Sequence, residues 1–201
     1  DFVLVGVGGQ GTLLAADVVA LVGMALGCDV KKSEVHGMSQ RGGSVTSHVR
    51  WGERVYSALI TPGQADYAIA FERLEAMRFG NMLRPGGTLL INDYRIAPVL
   101  VTSGTGSYPT QAEEDQVYAG SGARRFYLPA IDIAKGLGNA RVNNIVMLGA
   151  LSALMDVPVE TWLQVIAGRV PERYVEINRR AFREGRQEMV ERLQLVGADA
   201  R

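Results

Sequence analysis

The stretch Phe2-Val3-Leu4-Val5-Gly6-Val7-Gly8-Gly9-Gln10-Gly11 decides the fold. Four apolar residues in a row, stopped by glycine, read as a short buried strand. From Thr12 to Leu26 the apolar residues recur with helical spacing instead, so the glycines form a strand-to-helix turn. Gly6-x-Gly8-x-x-Gly11 has both the spacing and the context of a dinucleotide fingerprint, in which glycines allow a tight turn and the helix N-terminus behind them favours an anion. That fingerprint also needs an acidic residue roughly 20 positions on, at the end of the second strand. Here Asp29 opens that strand and Lys31-Lys32 follow it. Nucleotide binding and a purely structural turn therefore both stay open, with Gly8, Gly9, Gln10 and Gly11 as the candidate contacts.

Outward from this turn, Asp29 to Lys32 reads as a second strand and Ser33 to Gly43 as an irregular polar loop. Ser44 to Arg50 and Arg54 to Ile60 have strand character on either side of Trp51-Gly52-Glu53, which predicts an antiparallel hairpin. Tyr67 to Phe71, Thr88 to Asn92 and Arg125 to Pro129 are further short apolar runs of strand type, and Glu72 to Leu83 reads as a helix before Pro85-Gly86-Gly87. The Gly-, Ser- and Thr-rich segment from Pro98 to Gly122 predicts loops with a short helix. Helical patterns return at Asp132 to Leu137, Asn144 to Met155, Val159 to Ala167 and Tyr174 to Leu193. The expected architecture is a Rossmann-like, three-layer α/β fold: a mostly parallel sheet, one antiparallel hairpin and a helical C-terminal part. No repeat, linker or shift in composition divides residues 1–201, so a single domain is expected.

Composition removes several functional classes. Lys+Arg and Asp+Glu number 21 each, so no global field draws the chain to nucleic acid or to an anionic membrane. The longest apolar stretches stop well short of the roughly 20 residues of a bilayer span, and a cytoplasmic location is expected. Cys28 is the only cysteine; it supplies at most one of the four thiolates that an iron–sulfur cluster takes. His36 and His48 are the only histidines, too far apart for a zinc pair on one helix, so no metal site is expected.

The remaining chemistry is concentrated in His36-Gly37-Met38-Ser39-Gln40-Arg41-Gly42-Gly43. Hydroxyl, amide, guanidinium and exposed backbone donors between flexible glycines suit an anionic ligand or a partner's backbone. His36 has no adjacent nucleophile or carboxylate that would make it a general base. A second group, Asn139, Arg141 and Asn143, precedes an apolar helix, where amides serve as caps as readily as ligand donors.

Gly6 to Gly11, Glu34 to Val45 and Asn139 to Gly149 together resemble the gamma-type domain of 2-oxoacid:ferredoxin oxidoreductases, and the resemblance spans nearly the whole chain. The His-Gly-Met-Ser-Gln-Arg-Gly-Gly loop is most similar to the indolepyruvate branch, where this domain is the beta subunit. Ala58 departs from the family pattern, which has proline after the serine. The resemblance implies an accessory subunit in the oxidative decarboxylation of a 2-oxoacid to its acyl-CoA, with coenzyme A as co-substrate and electrons passing to ferredoxin. It also implies that thiamine diphosphate, its magnesium and the iron–sulfur clusters belong to a larger alpha-type partner; the present chain has no Gly-Asp-Gly of the thiamine type and no cluster cysteines, and would be inactive alone. On this view Ser39, Gln40, Arg41, Gly42 and Gly43 face the partner's active site with Gly8 to Gly11. Homodimer formation stays open, as do two other readings: a stand-alone nicotinamide or flavin enzyme, and a binding module without redox work.

Overall fold

The computed structural model describes residues 1–36 and 43–199. The chain runs β1 (Phe2–Val7), α1 (Thr12–Ala25), β2 (Asp29–His36), β3 (Ser44–Gly52), β4 (Ala65–Ala70), α2 (Arg73–Phe79), β5 (Leu83–Asn92), α3 (Val99–Thr102), α4 (Gln111–Tyr118), β6 (Arg124–Leu128), α5 (Ala130–Gly136), α6 (Asn143–Ser152), α7 (Val159–Arg169) and α8 (Val175–Asp199). The strands form one six-stranded sheet in the order β2-β3-β1-β4-β5-β6. The β1–β4, β4–β5 and β5–β6 pairs are parallel, and β3 is antiparallel to both β1 and β2.

The apolar run in β1 is central to this sheet, as its burial on both faces demands. Its side chains alternate between two cores. Phe2 and Leu4 join α1, α5, α6, α7 and α8 on one face, while Val3 and Val5 join α2, α4 and Ile60 on the other. These are the three expected layers. Every residue of α6 is buried, because this helix lies between the sheet and α8. The two helices approach closely at paired glycines: a Cβ on Gly149 would overlap the carbonyl oxygen of Phe182, and one on Gly185 would overlap that of Val146. Among the described residues no helix is long and apolar enough to cross a membrane.

Two sequence expectations are corrected. The antiparallel hairpin forms between β2 and β3, in continuous register from Asp29↔Gly52 to His36↔Val45, not between residues 44–50 and 54–60. The reason is that β1 and β2 occupy both edges of β3, leaving none for the later segment. Residues 54–60 cross the sheet as a strap instead, with the Val55 N–H donating to Asp29 Oδ2 at 2.8 Å and the Ile60 N–H to His48 Nδ1 at 3.1 Å. Accordingly residues 33–36, expected in a loop, continue β2. The helix expected from Glu72 to Leu83 ends at Phe79, and Leu83 already belongs to β5. Between Pro98 and Gly122 there are two short helices, α3 and α4; α4 begins with a capping box from Thr110 and Glu113.

Candidate functional site

The crossover from β1 lies on one face of the sheet with α1, and that from β4 on the other with α2. The carboxyl ends of these adjacent strands thus diverge, which is where open α/β sheets place their ligand crevice. The glycine turn is at this point. Gly9 (φ 105°) and Gly11 (φ 78°) have left-handed backbone, which costs any other L-residue roughly 1–2 kcal/mol. Their surroundings differ: a Cβ on Gly11 would come within 2.5 Å of Asn144 Nδ2, whereas one on Gly9 meets nothing within 4 Å. Gly9 therefore leaves the turn open to an approaching group.

Gln10 closes the crevice itself. Its Oε1 accepts from the Val7 N–H at 2.7 Å, and its Nε2 donates to the Phe71 carbonyl at 2.8 Å. The amide ties the end of β1 to the end of β4, with both of its ends engaged. Gly8 donates its N–H to the Gly43 carbonyl at 2.8 Å, so the start of β3 is tied to the glycine turn. Strand β2 ends at His36, whose backbone is paired with Val45. Ser39, Gln40, Arg41 and Gly42 lie outside the described residues.

Asn139 to Asn144, distant in sequence, meet this turn from the opposite side. Asn144 Nδ2 donates to the Gly11 carbonyl at 3.2 Å. Asn139 Oδ1 accepts from the Arg141 N–H at 3.0 Å, capping the short 3-10 turn Ala140–Val142, and Asn143 Nδ2 donates to the Ala140 carbonyl at 2.8 Å; α6 itself has no side-chain cap, so the capping anticipated for it is not made by these amides. Asn143 Oδ1 is buried without a partner. Arg141 is exposed, and its guanidinium makes no ion pair among the described residues. Two clefts flank the first turn of α1. One, of about 410 Å³, is lined by Val7, Gly8, Gly9, Gly11, Thr12, Leu13 and Val45. The other, of about 280 Å³, includes Leu14, Asn139, Arg141, Asn144, Tyr174 and Asn178. Helix α1 starts at Gly11 with no side-chain cap and no acidic residue in its first turn, so its N-terminal amides keep their donor capacity and positive potential.

A third part of the edge went unread in the sequence. Glu72 and Glu75 are each 1% exposed. Glu72 accepts the Glu75 N–H and the Ile96 N–H, both at 3.0 Å, and the Tyr108 hydroxyl. Burial, and next the Glu72 carboxylate, push the Tyr108 hydroxyl pKa well up. Glu75 accepts the Ser44 hydroxyl and Arg78 Nη1, and Ser44 directly follows the 37–43 loop. The only signal for these carboxylates was their place just after a buried strand, where α/β edges gather polar groups. They are engaged in holding loops: the one serine hydroxyl bonded to them, that of Ser44, shares Glu75 with the Arg78 guanidinium. His48 is also structural: burial pushes its pKa down, and its Nδ1 accepts from the strap. Among the described residues no group of three or more His, Cys, Asp or Glu is arranged to hold a metal.

Residues 1–188 match the family model of pyruvate ferredoxin/flavodoxin oxidoreductase. The chain is 39% identical over 188 residues to the indolepyruvate oxidoreductase subunit IorB of Thermococcus kodakarensis, covering 92% of this chain and 93% of that protein. It is 38% identical to the IorB subunit of Pyrococcus horikoshii, covering 90% and 92% respectively. Among solved structures, the gamma subunit of a keto/oxoacid ferredoxin oxidoreductase from Geobacter sulfurreducens superposes with a TM-score of 0.71 at 26% identity, over 94% of this chain and 98% of that one.

Proposed function

The chain belongs to the pyruvate ferredoxin/flavodoxin oxidoreductase family, and on that premise we propose that it is the accessory subunit of an indolepyruvate-type 2-oxoacid:ferredoxin oxidoreductase. The enzyme would convert an aryl 2-oxoacid and coenzyme A to the acyl-CoA and carbon dioxide, with two electrons passing to ferredoxin. The observation that carries this reading is the match to IorB subunits along almost the full length of both chains. The whole chain then acts as one gamma-type domain, working only with a larger partner.

The donor set supports this division of labour. The one cysteine, Cys28, supplies at most one of the four thiolates of an iron–sulfur cluster, and neither buried carboxylate at the sheet edge is free to take a metal. Thiamine diphosphate, magnesium and the clusters are assigned to the alpha-type partner. The present chain contributes a surface: the glycine turn, Gly43 tied to it through Gly8 with the donor-rich segment 37–42 that precedes it in sequence, and the uncapped start of α1. Against the partner this surface would exclude water from the active site and shape the approach of coenzyme A, whose phosphates suit an open helix N-terminus and the Arg41 and Arg141 guanidiniums.

The nicotinamide or flavin reading fits the geometry poorly. In a dinucleotide fold the second strand lies beside the first and ends in the ribose-binding acid. Here β3 intervenes between β1 and β2, Asp29 is at the far end of β2, and Gln10 fills the switch-point crevice.

Arg41→Ala and Arg141→Ala, each assayed in the reconstituted complex, test the proposed surface. The expected result is a raised KM for coenzyme A, roughly ten-fold per lost charge-assisted contact, with complex assembly intact. Unchanged turnover and unchanged coenzyme A dependence in both variants would contradict it.

A further inference from the structure

The two edges of the sheet are built differently. At one end β6 has only five residues and presents Arg124 and Arg125, both exposed; Arg125 lies 3.4 Å from Asp115, while Arg124 has no ion pair among the described residues. A short strand with an uncompensated charge is a usual defence against edge-to-edge pairing. At the other end β2 has eight residues, with neither proline nor glycine, and its register with β3 is unbroken. About half of its N–H and C=O groups therefore point away from β3, with no strand among the described residues to receive them. Its lysines do not defend this edge, because both are neutralised from within the chain: Lys31 Nζ lies 2.6 Å from Asp29, and Lys32 Nζ is paired with Asp17 and Glu34.

Apolar side chains are exposed on both sides of the same edge. On the α1 side are Leu21, Met24 and Leu26; on the strap side are Val35 and Tyr56, which follows the Val55 N–H bonded to Asp29, with Tyr56 at 83%. From this we infer that β2 is the contact between two copies of this chain, paired antiparallel about a two-fold axis centred on Ser33, so that two six-stranded sheets become one.

Charge complementarity points to a second copy as the occupant and favours one register. A two-fold axis perpendicular to the sheet keeps each side chain on its own face, so directly opposed residues must be an even number of positions apart. Centring on Ser33 sets Lys32 opposite the second copy's Glu34, and Glu34 opposite the second copy's Lys32, on the α1 face. On the strap face it sets the stem of Lys31 across the exposed Val35. Centring on Lys32 or on Glu34 would put like charges face to face, which opposes pairing. The strand is thus complementary to itself in the Ser33-centred register, and the exposed apolar residues of α1 are carried toward their counterparts across the axis.

This inference does not rest on the catalytic role proposed above. It is tested in the full chain, in a Cys28→Ser background, by Ser33→Cys under mild oxidation. Opposed residues of an antiparallel pair have Cα atoms about 4.5–5.5 Å apart, within disulfide reach. Ser33→Cys should give a covalent dimer of the chain. Lys31→Cys alone should not, but should cross-link when mixed with Val35→Cys. Sedimentation of the chain without these cysteines should show a dimer. A monomer that fails to cross-link at Ser33, a cross-link formed as readily by Lys31→Cys alone, or Ser33→Cys joined to the alpha-type partner in the assembled complex would each overturn the assignment.

Discussion

Two pairs of glycines do opposite work in this molecule. Gly149 and Gly185 have helical backbone and are needed because α6 and α8 approach until a methyl group would overlap a carbonyl oxygen. Gly9 and Gly11 are needed because the backbone is left-handed there, and at Gly9 there is open space where a side chain would be. One pair closes the interior; the other keeps an edge accessible. Loss of the first should therefore be felt as stability, and loss of the second chiefly as function.

The largest expected effect is at the crossing. Alanine is about 1 kcal/mol better than glycine inside a helix, so Gly149→Ala and Gly185→Ala would stabilise if packing were loose. We expect instead a loss of about 3 kcal/mol or more from overpacking against fixed backbone, read from the denaturant midpoint. A neutral result would break the comparison. At the turn, Gly11→Ala combines left-handed strain with pressure on Asn144 and should cost about 2 kcal/mol; Gly9→Ala should cost about 1 kcal/mol, from strain alone. Both should reduce turnover of the assembled complex by a larger factor than Gly149→Ala does in whatever fraction of it remains folded. Titrating each variant into partner subunit and comparing activity per folded chain separates the two regions.

The smallest effect belongs to the strap, which serves neither region. His48 holds the Ile60 N–H through an unprotonated Nδ1, and burial lowers its pKa from the ordinary 6.5. As pH falls through 6.5 the unfolded chain binds the proton first, so stability drops, and the loss is complete below the folded pKa. The melting temperature should therefore decrease modestly between pH 7.5 and 5.5, and less in His48→Gln. An equal decrease in that variant would assign the effect to other groups.

The contrast also explains what was legible in the sequence. Gly9 and Gly11 stand out because a turn between a strand and a helix has a fixed local spacing, and β1 and α1 were legible from the apolar patterns on either side of it. Gly149 and Gly185 carry no local signal, since the need for them arises from a crossing between segments more than thirty positions apart. The hairpin was misassigned for a similar reason: residues 54–60 have strand composition, but pairing depends on which edges of β3 are vacant, and β2 had taken one. At the site, the glycine turn and the Asn139, Arg141 and Asn143 group were read from their donors; the structure ties Gly43 to the turn through Gly8, while it is the neighbouring Asn144 that reaches Gly11. Glu72 and Glu75 were missed because a carboxylate after a strand looks the same in sequence whether it is solvated or bonded to Tyr108 and Ser44. Gln10 looked like a ligand donor; only the distance between the ends of β1 and β4 reveals that it spans them.

The central claim is that this chain works by lending a surface to a partner that holds the redox groups. The most direct test is to purify the native complex through this chain and to measure its subunits, iron and thiamine diphosphate. The account predicts a larger co-purifying subunit with both iron and thiamine diphosphate, and indolepyruvate-dependent ferredoxin reduction that requires this chain. A clean monomer or homodimer that retains a nicotinamide or flavin and is active alone would contradict it.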